Sequence, residues 1–328
     1  MPSGVCMAEF IQVSNVEDGT RLLRWFLRHF PSMPQREFYK LCRGGQIRVN
    51  SKRVRGQEIL RADDMVRIPP TIATYAQTRK KTESGELFSM EDLEKLRQCI
   101  VHNDDDVVVF NKPAGLAVQG GTGIRKSIDK MAAALFPYDK ISLVHRLDKE
   151  TSGLLVVAKN QHAAQFLADA FQNKTAHKEY LALLNGDVNP QHGIIDNYML
   201  KGQVFDRPAR LNNGTGPRPQ RAITEYKVLG VAAGCVSWVL FSPKTGRTHQ
   251  LRMHSAFSLN APIVGDMLYG RRKDLDGALC SMLETNNLFL FAYKLTFQHP
   301  RTGRMMTLRA TVPEFMLPVM KFLELKLP

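Results

Sequence analysis

Residues 154–158 read Leu-Leu-Val-Val-Ala and follow directly on the stretch "HRLDKETSG" (145–153). Five apolar residues in a row, bounded by Gly on one side and Lys-Asn on the other, are too few for a core helix and read as a buried strand. Such a strand needs partners, and the chain supplies them from residue 104 onward. "DDDVVVFNKPAGLAV" (104–118), "HKEYLALLNG", "RAITEYKVLG", "VSWVLFSP" and "NLFLFAYKLTF" are all strand-like and bounded by Gly, Pro or Asn. Helical spacing intervenes at about 126–136 and at 161–173, where "QHAAQFLADAF" carries it. Many short strands with few helices predict an α+β domain built on a mixed, largely antiparallel sheet with flanking helices. There is no internal repeat and no low-complexity tract.

The first 70 residues have a different organisation. Leu22, Leu23, Phe26, Leu27 and Phe30 fall on one face of a predicted helix, with Asp18 as its expected N-cap. "SMPQREFYKLCRGG" (32–45) places Pro34 in a first turn and a Gly pair at the end, so a second helix is expected. "QIRVNSKRVRG" alternates around Asn50-Ser51 as a hairpin does. This unit carries Arg36, Lys40, Arg43, Arg48, Lys52, Arg53 and Arg55. Residues 1–80 hold 14 Lys and Arg against 7 Asp and Glu, half of the whole chain's net charge of +14. Clustered cations of that density favour a polyanionic partner, because neutralising phosphates releases counterions. Residues 71–100 are polar and mixed in charge, then turn helix-like, and read as a linker. The expected division is therefore a small domain over 12–70, a linker over 71–100 and a larger domain over 101–328.

The five cysteines are scattered without a CxxC pair, which argues against a zinc site or a disulfide framework and for reduced thiols. No apolar run reaches the roughly 18 residues of a membrane span, and "MPSGVCMAEF" lacks a secretory signal, so a bacterial cytoplasmic protein is expected.

Asp148 is the leading candidate for chemistry. A carboxylate beside a buried strand is pushed toward its neutral form unless a cation opposes this. Arg146 is near in sequence, and "GRTHQLRMH" (246–254) offers further arginines. An ionised carboxylate so placed serves as nucleophile or base, although spacing alone favours an Asp that caps the "DKETSG" turn. In "PKTGRTHQLRMHSA" (243–256), His249 and His254 have no third soft ligand at short spacing, so no metal is expected there, whereas "KTGRT" is a turn rich in phosphate-binding donors. Lys178 and Tyr180 share one face of a strand, and Tyr180 is either a base-stacking ring or a core tyrosine. "KGQVFDRPARLNNGTGPRPQR" (201–221) is either a surface loop or one that folds on RNA.

In order and spacing, "VVVFNKPAGLAV", "HRLDKETSGLLVVAKN", "KEYLAL", "GRTHQLRMH" and "PIVGDMLYG" resemble the motifs of the RluA-family pseudouridine synthases. "MPQREFYKLCRGGQIRVNSKRV" with "ADDMVRIPP" resembles the α/β RNA-binding module named for ribosomal protein S4, an arrangement similar to the RluC subgroup. The resemblance implies a pseudouridine-synthase fold with the active cleft across the middle of its sheet and an S4-like domain in front. It implies that Asp148 breaks the N-glycosidic bond of a uridine, with attack on the sugar, attack on the base and abstraction of a ribose proton all open. It further implies that Arg146 fills the gap left by a flipped nucleotide, Tyr180 stacks on the uracil, Arg252 pairs with Asp148 and Leu251 packs beside the base. His145, Arg247 and the basic face (Arg36, Lys40, Arg43, Arg48, Lys52, Arg53) are expected to contact RNA. No cofactor and no metal are expected, since the reaction is an isomerisation. The implied partner is large-subunit (23S-type) ribosomal RNA, free or in an assembling particle, bound by a monomer.

Two departures from the family pattern stand out. Arg21-Leu22 is followed by Leu23 where the RNA-binding module usually has Asp, and Leu290-Phe291-Ala292 stands where Leu-His-Ala is common. Other readings are an RNA-binding or ribosome-assembly factor that has lost catalysis, and a synthase acting on another RNA such as tRNA. A glycosidase-like hydrolase is disfavoured because it needs two carboxylates flanking the bond, and the core motifs offer one.

Overall fold

The structure, a computed structural model, describes residues 9–14, 17–30, 33–72, 88–121, 124–200, 202–206, 218–232, 234–270 and 287–328. Half of the expected linker (73–87) and most of the loop at 201–221 lie outside the described residues. The chain forms two compact units, one of Met1–Ser89 with Phe136–Lys140 and one of Met90–Leu135 with Ile141–Pro328.

In the smaller unit, β1 (Glu9–Gln12), α1 (Leu22–His29), α2 (Gln35–Arg43), β2 (Arg48–Val49), β3 (Lys52–Arg53) and β4 (Met65–Ile68) form a four-stranded sheet in the order β1-β4-β2-β3 with two helices. Leu22, Trp25 and Phe26 of α1 meet Phe38 and Cys42 of α2 over Val66 and Ile68, which is the apolar spacing of both helices turned inward. Asn50 and Ser51 have φ of 47° and 66°, so the tight turn predicted between β2 and β3 is present. The expected Asp18 cap is not. Arg21 occupies the N-cap without a side-chain bond, and Asp18 instead accepts the N–H of Ala62 at 2.9 Å, a contact 44 residues away that local pattern cannot register. Arg36, Lys40, Arg43, Lys52 and Arg53 are exposed; Arg48 is half-buried and donates to the Gly45 carbonyl.

The larger unit contains α3 (Met90–Gln98), β5 (Ile100–Asn103), β6 (Val107–Lys112), α4 (Ile128–Leu135), β7 (Ser142–Leu143), β8 (Ser152–Ala158), α5 (Gln161–Gln172), β9 (His177–Asn185), β10 (His192–Leu200), β11 (Gln203–Phe205), β12 (Gln220–Ala232) and β13 (Val236–Pro243). After these come α6 (Gln250–Met253), which continues as a π turn over His254–Ser258, then β14 (Leu290–Gln298), β15 (Met305–Arg309) and α7 (Leu317–Phe322). Eleven strands form one sheet in the order β11-β10-β12-β13-β9-β14-β8-β6-β5, with β15 on β14 and β7 on β8. Every pairing is antiparallel except β14 with β8. All seven residues of β8 are buried, as its apolar run requires. Phe291, at the Leu-Phe-Ala departure, is fully buried between Trp238 and Tyr293. Among the described residues no helix is long and apolar enough to cross a membrane.

Candidate active site

Asp148 lies in the turn between β7 and β8, a turn held from below. The Lys112 ammonium, fully buried at the end of β6, donates to the carbonyls of Pro113, Leu116 and Lys149, each at 2.9 Å. Three acceptors match its three protons, so the side chain fastens the residue after Asp148 to the sheet. Burial pulls the Lys112 pKa down to about 7, opposed by the charges of Glu150 and Asp148. The Thr151 N–H closes the turn onto the Asp148 carbonyl at 3.1 Å. Gly153, with φ of +102°, has no Cβ to strike the Ala292 backbone, which lets β14 run against β8 directly beneath the turn.

The turn opens onto a cleft, continuous with solvent, over the central strands β13, β9, β14 and β8. Arg146, Asp148, Lys178, Tyr180, Leu251 and Arg252 line it, together with the 245–248 turn. Chain order scatters these residues over more than 100 positions; strand adjacency brings them together. Arg146 is exposed on the rim. Tyr180, on β9, is buried between cross-strand neighbours Phe241 and Ala292, and burial followed by the charge of Asp148 raises its phenol pKa. It therefore meets the cleft as a neutral ring.

Asp148 is half-buried, and no described residue forms a hydrogen bond or ion pair with its carboxylate. The expected Arg252 pairing goes elsewhere. Arg252 donates through Nε to Oδ2 of Asp266 at 2.8 Å and through Nη2 to Oδ1 at 2.6 Å. Both side chains are buried, at 5% and 0% exposure. Asp266 Oδ1 also accepts the N–H groups of Leu268 and Tyr269. Burial works against both charges, but these bonds outweigh it, lowering the Asp266 pKa and raising that of Arg252. The field of Asp148 still acts on Arg252, as it does on Tyr269, whose ring lies 5.3 Å from the Arg252 guanidinium. Arg252 thus presents fixed positive charge to Asp148 while its fork is occupied by Asp266.

A chain of polar groups fixes α6. Gln250 Nε2 donates to Thr224 Oγ1 at 2.9 Å, and its Oε1 accepts from the Thr245 hydroxyl and the Arg247 N–H. His254, wholly buried, bonds Thr224 Oγ1 through Nδ1 at 2.9 Å and Asn197 Oδ1 through Nε2 at 3.0 Å. With Thr224 accepting from Gln250, its hydroxyl proton points to His254 Nδ1, so Nε2 carries the imidazole proton and the ring is neutral. Burial lowers the His254 pKa to about 4. His249 instead meets the Tyr269 hydroxyl at 2.9 Å, so the two histidines serve different partners.

His145 is not directed at the cleft. Its Nε2 accepts the Val156 N–H at 3.0 Å and its ring stacks on Phe171 at 4.4 Å, while burial and then Lys178 lower its pKa to about 3. Accepting at Nε2, the neutral ring carries its proton on Nδ1 and ties the turn to β8. Arg247 is exposed and steadied by the Arg221 carbonyl and Gln220. Leu251 is buried in the cleft wall. Sequence reading did not single out Lys112, Asp266 or Gln250. The signal available was an ionisable residue inside an otherwise apolar run, as in "VVVFNKP" and "PIVGDM".

A family model described as RNA pseudouridylate synthase matches residues 106–257. Among curated proteins, the chain is 33% identical to "Ribosomal large subunit pseudouridine synthase C" of Vibrio cholerae over 303 residues, covering 92% of each chain. It is 33% identical to the protein of that name from Escherichia coli over 310 residues, covering 93% of each. Among solved structures, "Human RNA Pseudouridylate Synthase Domain Containing 4" superposes with a TM-score of 0.61 at 28% identity, covering 72% of this chain and 97% of that one.

Proposed function

The chain belongs to the RNA pseudouridine synthases, isomerases that act on RNA, and from that premise we propose that it converts specific uridines of large-subunit ribosomal RNA to pseudouridine. In this isomerisation the bond from N1 of the uracil to C1′ of the ribose breaks, the base turns, and C5 bonds to C1′. C5 gives up its hydrogen and N1 takes one, so nothing is oxidised, reduced or hydrolysed. The observation that carries the assignment of roles is the carboxylate of Asp148, which has no partner among the described residues, in an open cleft beside Tyr180, with Arg252 held next to it by Asp266.

A uridine inside RNA reaches such a cleft only by leaving its stack. Arg146, exposed at the rim, enters the vacated space; Tyr180 carries the flipped uracil on its neutral ring, and Leu251 closes the other side. Asp148 acts on the glycosidic centre. Arg252 keeps positive charge beside it without neutralising it by a direct pair, and Arg247 at the mouth contacts the RNA backbone. The unit over residues 12–70, with Arg36, Lys40, Arg43, Arg48, Lys52 and Arg53, anchors RNA through phosphates, joined by residues 71–100 to the synthase domain at 101–328. The chain works as a monomer in the bacterial cytoplasm, on free RNA or an assembling particle.

Pseudouridine mapping of large-subunit ribosomal RNA, by carbodiimide modification and primer extension in cells with and without the gene, tests this. Sites lost without the gene should return with the wild type and not with Asp148→Asn. An unchanged map would exclude this RNA as the substrate.

A further inference from the structure

Lys178 is the one cleft-lining ion among the described residues for which the roles above have no use. It stands on β9 two residues before Tyr180, on the same face, half-buried at the cleft wall. No described residue accepts a hydrogen bond from its ammonium or pairs with it. Its neighbours are the Phe171 ring, with Nζ 5.8 Å from the centroid, and the 246 position, where a methyl group would stand 3.7 Å from Nζ. That ring already stacks against His145, which is neutral. A cation removed from water without an anion is costly, and a single ring at that range offsets little of it. Burial lowers the Lys178 pKa, and no carboxylate among the described residues opposes it.

The turn beside it is similarly under-used. Within 245–248, Thr245 and the Arg247 N–H are bound to Gln250, whereas the Gly246 N–H and the Thr248 hydroxyl have no partner among the described residues. Gly246 and Thr248 are exposed and line the cleft. An ammonium without a partner among the described residues, in one cleft with a backbone N–H and a hydroxyl that also lack one, offers the donor set a tetrahedral oxyanion takes.

We propose that Lys178, with the Gly246 N–H and the Thr248 hydroxyl, receives a backbone phosphate flanking the uridine whose base lies on Tyr180. The phosphate supplies the anion that Lys178 lacks and fixes the sugar of the flipped nucleotide relative to Asp148. The proposal rests on the entry of a flipped uridine into this cleft. Because the contact is present in bound substrate and transition state alike, its loss raises KM and leaves kcat nearly unchanged.

The test uses the full chain and synthetic RNA stem-loops containing one uridine that the protein modifies. One RNA has all phosphates, one carries an uncharged methylphosphonate on the 5′ side of that uridine, and one carries it on the 3′ side. Wild-type turnover of the all-phosphate RNA reads the premise by itself. Lys178→Met, which keeps the stem over Phe171, should raise KM on that RNA by about tenfold to a hundredfold, the worth of a bond to a charged group. Lys178→Arg should recover most of the loss. On one of the two methylphosphonate RNAs, wild type and Lys178→Met should have equal KM, and which RNA it is identifies the phosphate. A Lys178→Met penalty equal on all three RNAs, or one confined to kcat with a changed pH profile, would overturn the proposal. A melting temperature near wild type, measured on both variants, separates either outcome from unfolding.

Discussion

Two aspartates stand close to Arg252, and replacing each by asparagine should have opposite consequences. Asp266 is fully buried and accepts four hydrogen bonds, two from the Arg252 guanidinium and two from backbone N–H groups. Asp266→Asn leaves one oxygen and turns an amide NH2 toward a guanidinium that also only donates, so a buried positive charge loses its counter-charge. Breaking such a pair costs about 3–5 kcal/mol. In a unit of this size each kcal/mol moves the melting temperature by about 2–4 °C, so Asp266→Asn should melt about 6–20 °C below wild type. The Asp148 carboxylate satisfies no partner among the described residues, so Asp148→Asn should stay within about 0.5 kcal/mol of wild type while losing turnover. Thermal unfolding by circular dichroism alongside pseudouridine formation separates the two. If Asp148→Asn melted as low as Asp266→Asn, or Asp266→Asn melted with wild type, the division between a structural and a reactive aspartate would be wrong.

Acid should loosen the α6 anchor. The folded His254 pKa of about 4 lies below the ordinary 6.5, so the unfolded chain binds the extra proton first. Stability from this group is complete above pH 6.5 and falls by about 3 kcal/mol as pH drops toward 4, and the slope in denaturant unfolding should flatten in His254→Gln; an identical slope would exclude His254 as its source. The basic face should set salt dependence. Replacing Arg36, Lys40, Arg43, Lys52 and Arg53 together with Gln should reduce the slope of log affinity against log salt by about 3.5 to 4.5, and an unchanged slope would remove the small unit as RNA anchor.

Much of the fold was legible because local pattern and tertiary role coincide. The apolar run at 154–158 is a fully buried strand, Asn50-Ser51 takes the left-handed turn its residues allow, and 161–172 is the helix its spacing suggests. β10 buries alternate residues, Ile195, Asn197 and Met199, but a buried Asn and the apolar Ile194, Tyr198 and Leu200 on the other face hide that alternation in the sequence. Local pattern assigns Asp18 to the α1 cap, whereas its acceptor role goes to a distant loop amide. At the site, residues on one strand face, such as Lys178 and Tyr180, could be paired from periodicity. Partner choice could not. Arg252 had two candidate carboxylates in the chain's motifs, and only the path of the 263–269 loop decides for Asp266. His145 lies three residues from Asp148, yet its nitrogen is committed to Val156 by the fold of the turn.

The most direct measurement follows from the hydrogen that must leave C5 when C5 bonds to C1′. Purified protein is incubated with large-subunit ribosomal RNA transcribed with uridine tritiated at C5, and tritium released to water is counted. The account predicts release rising to a fixed number of sites per RNA with wild type, and none with Asp148→Asn, which still binds the RNA. Release by Asp148→Asn at the wild-type rate, or none from wild type, would contradict it.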